Sequence, residues 1–205
     1  MYGALTPLAA GLGTTLSLIV AIGSQNAFVL RQGLRREHVL LVVAICGASD
    51  AVLITLGISG IGGVIALWPS AITVFGWAGA VFLAGYGLYA ARRALRPEAM
   101  QASHAGRSSL RAALLTCLAF TWINPHVYLD TVFLLGSIGN SYGAGRWVFA
   151  VGSVAGSLLW FTTLGFGARA LSGVFTRPMA WRVLDSLIAA TMLTLGIVMA
   201  VRTAS

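Results

Sequence analysis

The chain has 205 residues, 58% hydrophobic and only 9% charged, with a mean hydropathy of +0.89. Soluble domains carry about a quarter of their residues as charges, so a soluble enzyme or binding module is excluded and an integral membrane protein is expected throughout. The net charge of +8 comes from 13 arginines, with no lysine. Their confinement to short segments between apolar runs points to membrane orientation and away from nucleic-acid binding.

Six apolar runs follow in chain order, read as spans over Leu5–Leu30, Val39–Leu67, Ala71–Ala91, Ala112–Ile138, Gly145–Ala168 and Val183–Val201. No basic segment precedes the first, so a cleaved signal peptide is not expected. The first, second and fourth exceed the length needed to cross a bilayer, and tilt or breakage is expected there. The segments after spans one, three and five hold eleven of the 13 arginines, leaving Arg146 and Arg202 for the other side. Positive-inside bias therefore places those segments in the cytoplasm and both termini outside.

Six spans divide into two halves of three, residues 1–95 and 112–205, joined by a basic cytoplasmic loop at 96–111. An odd number of spans per half inserts the halves upside down relative to each other. The expected fold is an all-α polytopic membrane protein of two inverted three-helix repeats. Such repeats are a recurrent plan in secondary transporters, which bind substrate where broken helices meet. The polar stretches Gly23-Ser24-Gln25-Asn26 and Asn124-Pro125-His126 interrupt the first and fourth spans, and the two segments can be laid over one another.

Two of the five acidic residues, Asp50 and Asp130, lie inside apolar runs, where a charge costs roughly 2.5–3.5 kcal/mol on insertion scales and marks a substrate or ion path. Glu37, Glu98 and Asp185 fall in or beside the expected loops. Pro125 cannot donate a hydrogen bond and its ring opposes the Thr121 carbonyl, so a kink or a break is expected. His126 and Asp130, four residues apart, share a helical face and can either relay a proton or form a static ion pair. Gly23, Ser24, Gln25 and Asn26 can hold the charged groups of an amino acid or act as interhelical hydrogen bonds. Asp50, with no basic neighbour in its own helix, is the central candidate for exchanging a proton against a cation.

Trp68, Trp147 and Trp181 are expected at the interfaces, and Trp77, Trp122 and Trp160 deeper. Trp122, beside the fourth-span break, can stack on a cationic ligand or pack in the core. Gly152-x-x-x-Gly156 permits close packing within the chain or in a homodimer. Cys46 and Cys117 read as small apolar fillers that repeat symmetry does not pair. A metal centre finds no support in Cys/His clusters, and no cofactor is expected.

The strings GSQNAFVLRQGLRRE, Ala48-Ser49-Asp50 and TWINPHVYLD at Thr121–Asp130, with GRWVFAVGSVAGSLLWF at Gly145–Phe161, resemble the L-lysine/L-arginine exporter (LysE/ArgO) family of bacterial inner membranes. The resemblance covers nearly the whole chain and favours the basic over the neutral amino acid branch. It implies a non-enzymatic exporter of L-arginine or L-lysine, driven by proton exchange, with Asp50, Asp130 and His126 coupling proton and substrate. Gly23, Ser24, Gln25, Asn26, Trp122, Asn124 and Pro125 are the implied binding residues. Family members usually carry proline where Ser24 stands, so a milder first break is expected here. A divalent-metal exporter with Asp50, Asp130 and His126 as ligands, a neutral amino acid exporter and an intramembrane thiol oxidoreductase on Cys46 and Cys117 are the alternatives.

Overall fold

The computed structural model describes residues 2–20, 23–60, 69–95, 109–171, 173, 175 and 177–204, and all regular structure among them is helical. Helix α1 (Tyr2–Ile19) and α2 (Ser24–Arg35) form a bent pair, inclined at 83° to each other. Helices α3 (Val39–Ile58) and α4 (Pro69–Leu95) follow. Then comes a second bent pair. Its first half is α5 (Leu110–Trp122). Its second half runs through α6 (Pro125–Tyr128), a π-helical segment (Leu129–Leu135) and α7 (Gly136–Ser141), at 56° to α5. Helices α8 (Arg146–Gly167) and α9 (Pro178–Ala204) complete the chain.

Three helical stretches, Val39–Ile58, Gly143–Ala170 and Met179–Ala204, are individually long and apolar enough to cross a bilayer, and the bent pairs raise the count to five. The 20 residues of α3 alone span about 30 Å at ~1.5 Å per residue, the thickness of a hydrocarbon core. The expected extension of the second span to Leu67 and most of the 96–111 loop, like Trp68, lie outside the described residues.

Both breaks form for local reasons. Gly23 is extended (φ −105°, ψ 179°) and starts α2 as its N-cap. In the second break α5 stops at Trp122, and Asn124 accepts a hydrogen bond from the His126 amide through Oδ1 at 3.2 Å. Pro125 therefore opens a new helix at the position where its missing N–H costs nothing, instead of kinking an old one. Of the two bends, the first is the sharper.

Glycines set the closest helix contacts. Helix α1 lies on α8 so tightly that a β-carbon at Gly152 would collide with the Leu8 carbonyl, and one at Gly11 with the Phe149 carbonyl. The Gly152-x-x-x-Gly156 motif is thus occupied inside the chain. Gly136 meets the Gly57 carbonyl, where a β-carbon would sit 2.7 Å away, and Gly33 is pressed against the Gly165 carbonyl.

Three sequence expectations are corrected. Cys46 and Cys117 are not independent fillers: both are fully buried, and their Sγ atoms lie 3.5 Å apart, joining α3 to α5. Trp181 is buried and donates from Nε1 to the Phe175 carbonyl at 2.7 Å, so it is no exposed interface anchor. Asp185 is fully buried in α9, and Arg31 and Arg93 leave the loops to pair with it.

Replacing Gly152 by Val should lower the unfolding midpoint of the purified protein, because overpacking costs about 1–3 kcal/mol. Gly85→Ala, where a β-carbon meets nothing within 4 Å, should leave it unchanged or raise it. Treatment with copper phenanthroline should join Cys46 to Cys117, since sulfurs 3.5 Å apart need to close only to about 2.05 Å. Mass spectrometry of a non-reduced digest reads this directly, and two unmodified peptides would contradict the packing of α3 on α5.

Candidate substrate cavity

The two breaks meet. Asn124 Nδ2 donates to Ser24 Oγ at 3.1 Å, tying the start of α2 to the start of α6 across 100 residues of sequence. Around this junction lies a cavity of ≈ 170 Å³. Its lining includes Gly23, Ser24, Gln25 and Asn26 from the first break and Asn124, His126 and Asp130 from the second, with Asp50 from α3. Thr15 of α1 and Thr191 and Leu195 of α9 complete the wall. Its volume falls below the ~300–1,000 Å³ of drug-sized pockets and suits a small solute.

Each polar group in the wall is held differently. Asp50, 3% exposed, accepts a hydrogen bond from Ser157 Oγ of α8 at 2.6 Å. None of the ion pairs among the described residues involves it. Charge-assisted bonds of this kind are short and strong, but a hydroxyl donor leaves the carboxylate's charge uncompensated. Asp130 sits on the π-helical segment, a turn type frequent at functional sites, and is paired with His126 Nδ1 at 3.0 Å. Both side chains are partly exposed toward the cavity.

Asn26 is fixed from two sides. Its Nδ2 donates to the Ile19 carbonyl at 2.5 Å, where α1 ends, and its Oδ1 accepts from Trp160 Nε1 at 3.1 Å. This satisfies a carbonyl that the break would otherwise leave orphaned in lipid. Gln25 differs. It lies beside the Cys46 thiol, yet its buried Nε2 makes no hydrogen bond among the described residues. An orphaned amide donor in a cavity wall is free to meet an anionic group.

Trp122 is not in the cavity wall. Its Nε1 donates to Ser49 Oγ at 3.1 Å, and its carbonyl accepts from Tyr128 Oη at 2.8 Å across the break. It braces α5 against α3 beside Asp50. The sequence does not single out Ser157, Thr15 or Thr191, and it places Trp160 only by depth. Lone Ser, Thr and Trp residues in apolar helices carry no signal until a partner is known.

The family model described as "LysE type translocator" matches residues 16–203. The chain belongs to this family. It is 47% identical over 190 residues to a protein of Mycobacterium tuberculosis named "Putative amino-acid transporter Rv0488", covering 93% of this chain and 94% of that one. It is 37% identical over 201 residues to the "Lysine exporter LysE" of Corynebacterium efficiens, covering 84% and 88%. It is also 37% identical over 185 residues to the "Arginine exporter protein ArgO" of Yersinia enterocolitica, covering 89% and 90%. No solved structure matches the chain. Membership makes the protein a transporter and not an enzyme.

Replacing Asn124 by Ala should lower stability by about 1–3 kcal/mol, since it removes a helix cap and the link between breaks. Asn124→Asp keeps an acceptor for the His126 amide and should recover part of the loss. Paired thermal unfolding curves decide it, and equal midpoints for Ala, Asp and wild type would contradict the junction.

Proposed function

We propose that the chain exports L-arginine or L-lysine across the bacterial inner membrane in exchange for protons, from a site between two inverted repeats. The observation that carries this reading is the single cavity lined by both breaks and by both Asp50 and Asp130. A basic amino acid brings two cationic groups and one carboxylate. Asp50 and Asp130 offer the anionic partners, and the unpaired Gln25 amide offers a donor for the carboxylate.

Coupling follows from charge. Moving one positive charge outward against an inside-negative potential costs about 2.3 kcal/mol per 100 mV. One proton returned per substrate cancels that charge and leaves the pH gradient as the drive. Asp50, met only by a hydroxyl, is the group whose charge a proton or the substrate would balance in turn. His126 beside Asp130 supplies a second acceptor on the same wall.

The packing supports a six-span, inverted-repeat plan in which α4 is the third span. Helix α3 packs on the post-break half of the second broken span, while α8 packs on α2, the post-break half of the first. The close glycine contacts repeat this exchange, with Gly57 on Gly136 and Gly33 on Gly165. On this plan both termini are outside and the arginine-rich ends of α2 and α4 and the start of α9 face the cytoplasm. A homodimer draws no support from Gly152 and Gly156, whose face α1 covers. The divalent-metal alternative gains nothing either, since no three metal-binding side chains come together among the described residues.

Purified protein in liposomes should carry labelled arginine or lysine, but not a neutral amino acid, with a rate that rises with an imposed pH gradient. Asp50→Asn and Asp130→Asn should each abolish this flux while the protein remains inserted. Normal coupled flux in both variants would sink the site assignment.

A further inference from the structure

On one side of the cavity the chain is closed by two successive layers. Three helices each present a stripe at helical spacing: Ser24, Ala27 and Arg31 on α2; Leu83, Tyr86, Ala90 and Arg93 on α4; and Asp185, Ile188, Met192 and Leu195 on α9. Ser24 and Leu195 belong to the cavity wall. Beyond them Ala27, Leu83, Ala90, Ile188 and Met192 form one buried apolar cluster. Beyond that layer stands an ion network. Arg31 Nη1 lies 3.0 Å and Arg93 Nη2 2.5 Å from the same oxygen, Oδ1 of Asp185. The two layers occupy about 15 Å of α9, ten residues at ~1.5 Å each.

The network is incomplete in an informative way. It holds two cations and one carboxylate, and Asp185 is fully buried. Its second oxygen, Oδ2, has no hydrogen-bond partner among the described residues, and neither has the buried Oε1 of Gln32 on α2. Aromatic faces stand ready for the arginines: the Arg93 guanidinium lies 4.8 Å from the Tyr89 ring centroid, and that of Arg31 5.7 Å from the Trp181 ring. Arg182 adds a tie between α9 and α4, donating from Nε to the Ala94 carbonyl at 3.2 Å.

We infer that Asp185 is a second cation-binding site, on the arginine-rich side of the cavity, at which the guanidinium or ammonium of an incoming basic amino acid takes Oδ2 and displaces an arginine, so that the substrate opens the closed layer. This rests on the export reading above. A net positive cluster would repel a cationic solute, unless the solute replaces one of the charges already there. Replacement keeps the number of cations on Asp185 at two, and the aromatic face beside the displaced guanidinium offers it a second partner. The same exchange removes one of the two ion pairs that tie α2, α4 and α9 together around the apolar layer.

The test uses the full chain in liposomes and in inside-out vesicles, which turn the arginine-rich side to the bulk. Asp185→Asn should raise the half-saturating concentration for labelled arginine on that side about tenfold or more, the loss expected for one hydrogen-bonded charge. Because that variant strands two arginines, Arg93→Gln/Asp185→Asn, which keeps the cluster's net charge, serves as the insertion-safe partner and should show the same rise. In a Cys46→Ala/Cys117→Ala background, Thr15→Cys in the cavity wall should react faster with an impermeant maleimide when Arg93 is also changed to Gln. Added arginine should speed its labelling in the protein with Arg93 intact. A double variant with unchanged half-saturation overturns the cation site, and labelling indifferent to Arg93 and to arginine overturns the gate. If the unmutated protein carries no basic amino acid, the export reading and the ligand named here fall together. Normal flux with unresponsive variants removes this inference alone.

Discussion

The hydrogen bond between Asn124 and Ser24 joins the two helix breaks at one point in the interior. A break inside a bilayer exposes backbone groups that lipid cannot satisfy, at several kcal/mol each. Here each break satisfies its own backbone groups, and one side-chain hydrogen bond joins the two. Asn26 takes up the Ile19 carbonyl, Asn124 caps the His126 amide, and Tyr128 reaches back to the Trp122 carbonyl. The polar groups required to make the breaks tolerable are the same ones that line the cavity. Structure and site are therefore not separable at this junction, and a cavity is the natural consequence of placing two broken spans together.

The surrounding helices hold this junction rigidly where backbone meets backbone. Gly11, Gly33, Gly57, Gly136 and Gly152 bring helix axes too close for a β-carbon. Without a strong hydrophobic drive between helices in lipid, such contacts and interhelical hydrogen bonds provide much of the cohesion. The helices thus pack firmly along α4–α9, α1–α8 and α3–α7, and the ion network fastens α2 to the α4–α9 pair through a carboxylate. Glycine contacts are fixed by shape. An ion pair can be exchanged for another.

Much of this was legible in the sequence because membrane constraints are severe. Apolar length pointed to the long helices α3, α8 and α9, and the polar interruptions at Gly23–Asn26 and Asn124–His126 to the two bends. The expense of charge in lipid singled out Asp50 and Asp130, which do line one cavity. What escaped depended on partners distant in sequence. Ser157 is an ordinary serine until Asp50 is placed beside it. Cys46 and Cys117 looked unrelated because repeat symmetry does not pair them, yet packing of α3 on α5 brings them together. Asp185 was misread for a different reason. It lies near the start of the last span among arginines, which resembles a loop, and only the tertiary fold buries it between Arg31 and Arg93. The π-helical turn under Asp130 has no sequence signature at all.

The three buried or half-buried acids differ most in what neutralises them. Asp185 is held by two guanidiniums, Asp130 by one imidazole, and Asp50 by one hydroxyl. A cation approaching Asp185 must compete with charges already in place, whereas one reaching Asp50 meets no such rival. On the export reading this ordering gives the path a direction from a guarded carboxylate to an unguarded one. It also explains why the central acid has no arginine partner among the described residues: a permanent counter-ion there would satisfy the carboxylate and remove any need for the substrate or the proton. Burial makes the uncompensated charge costly, and that cost is what makes Asp50 responsive to either one.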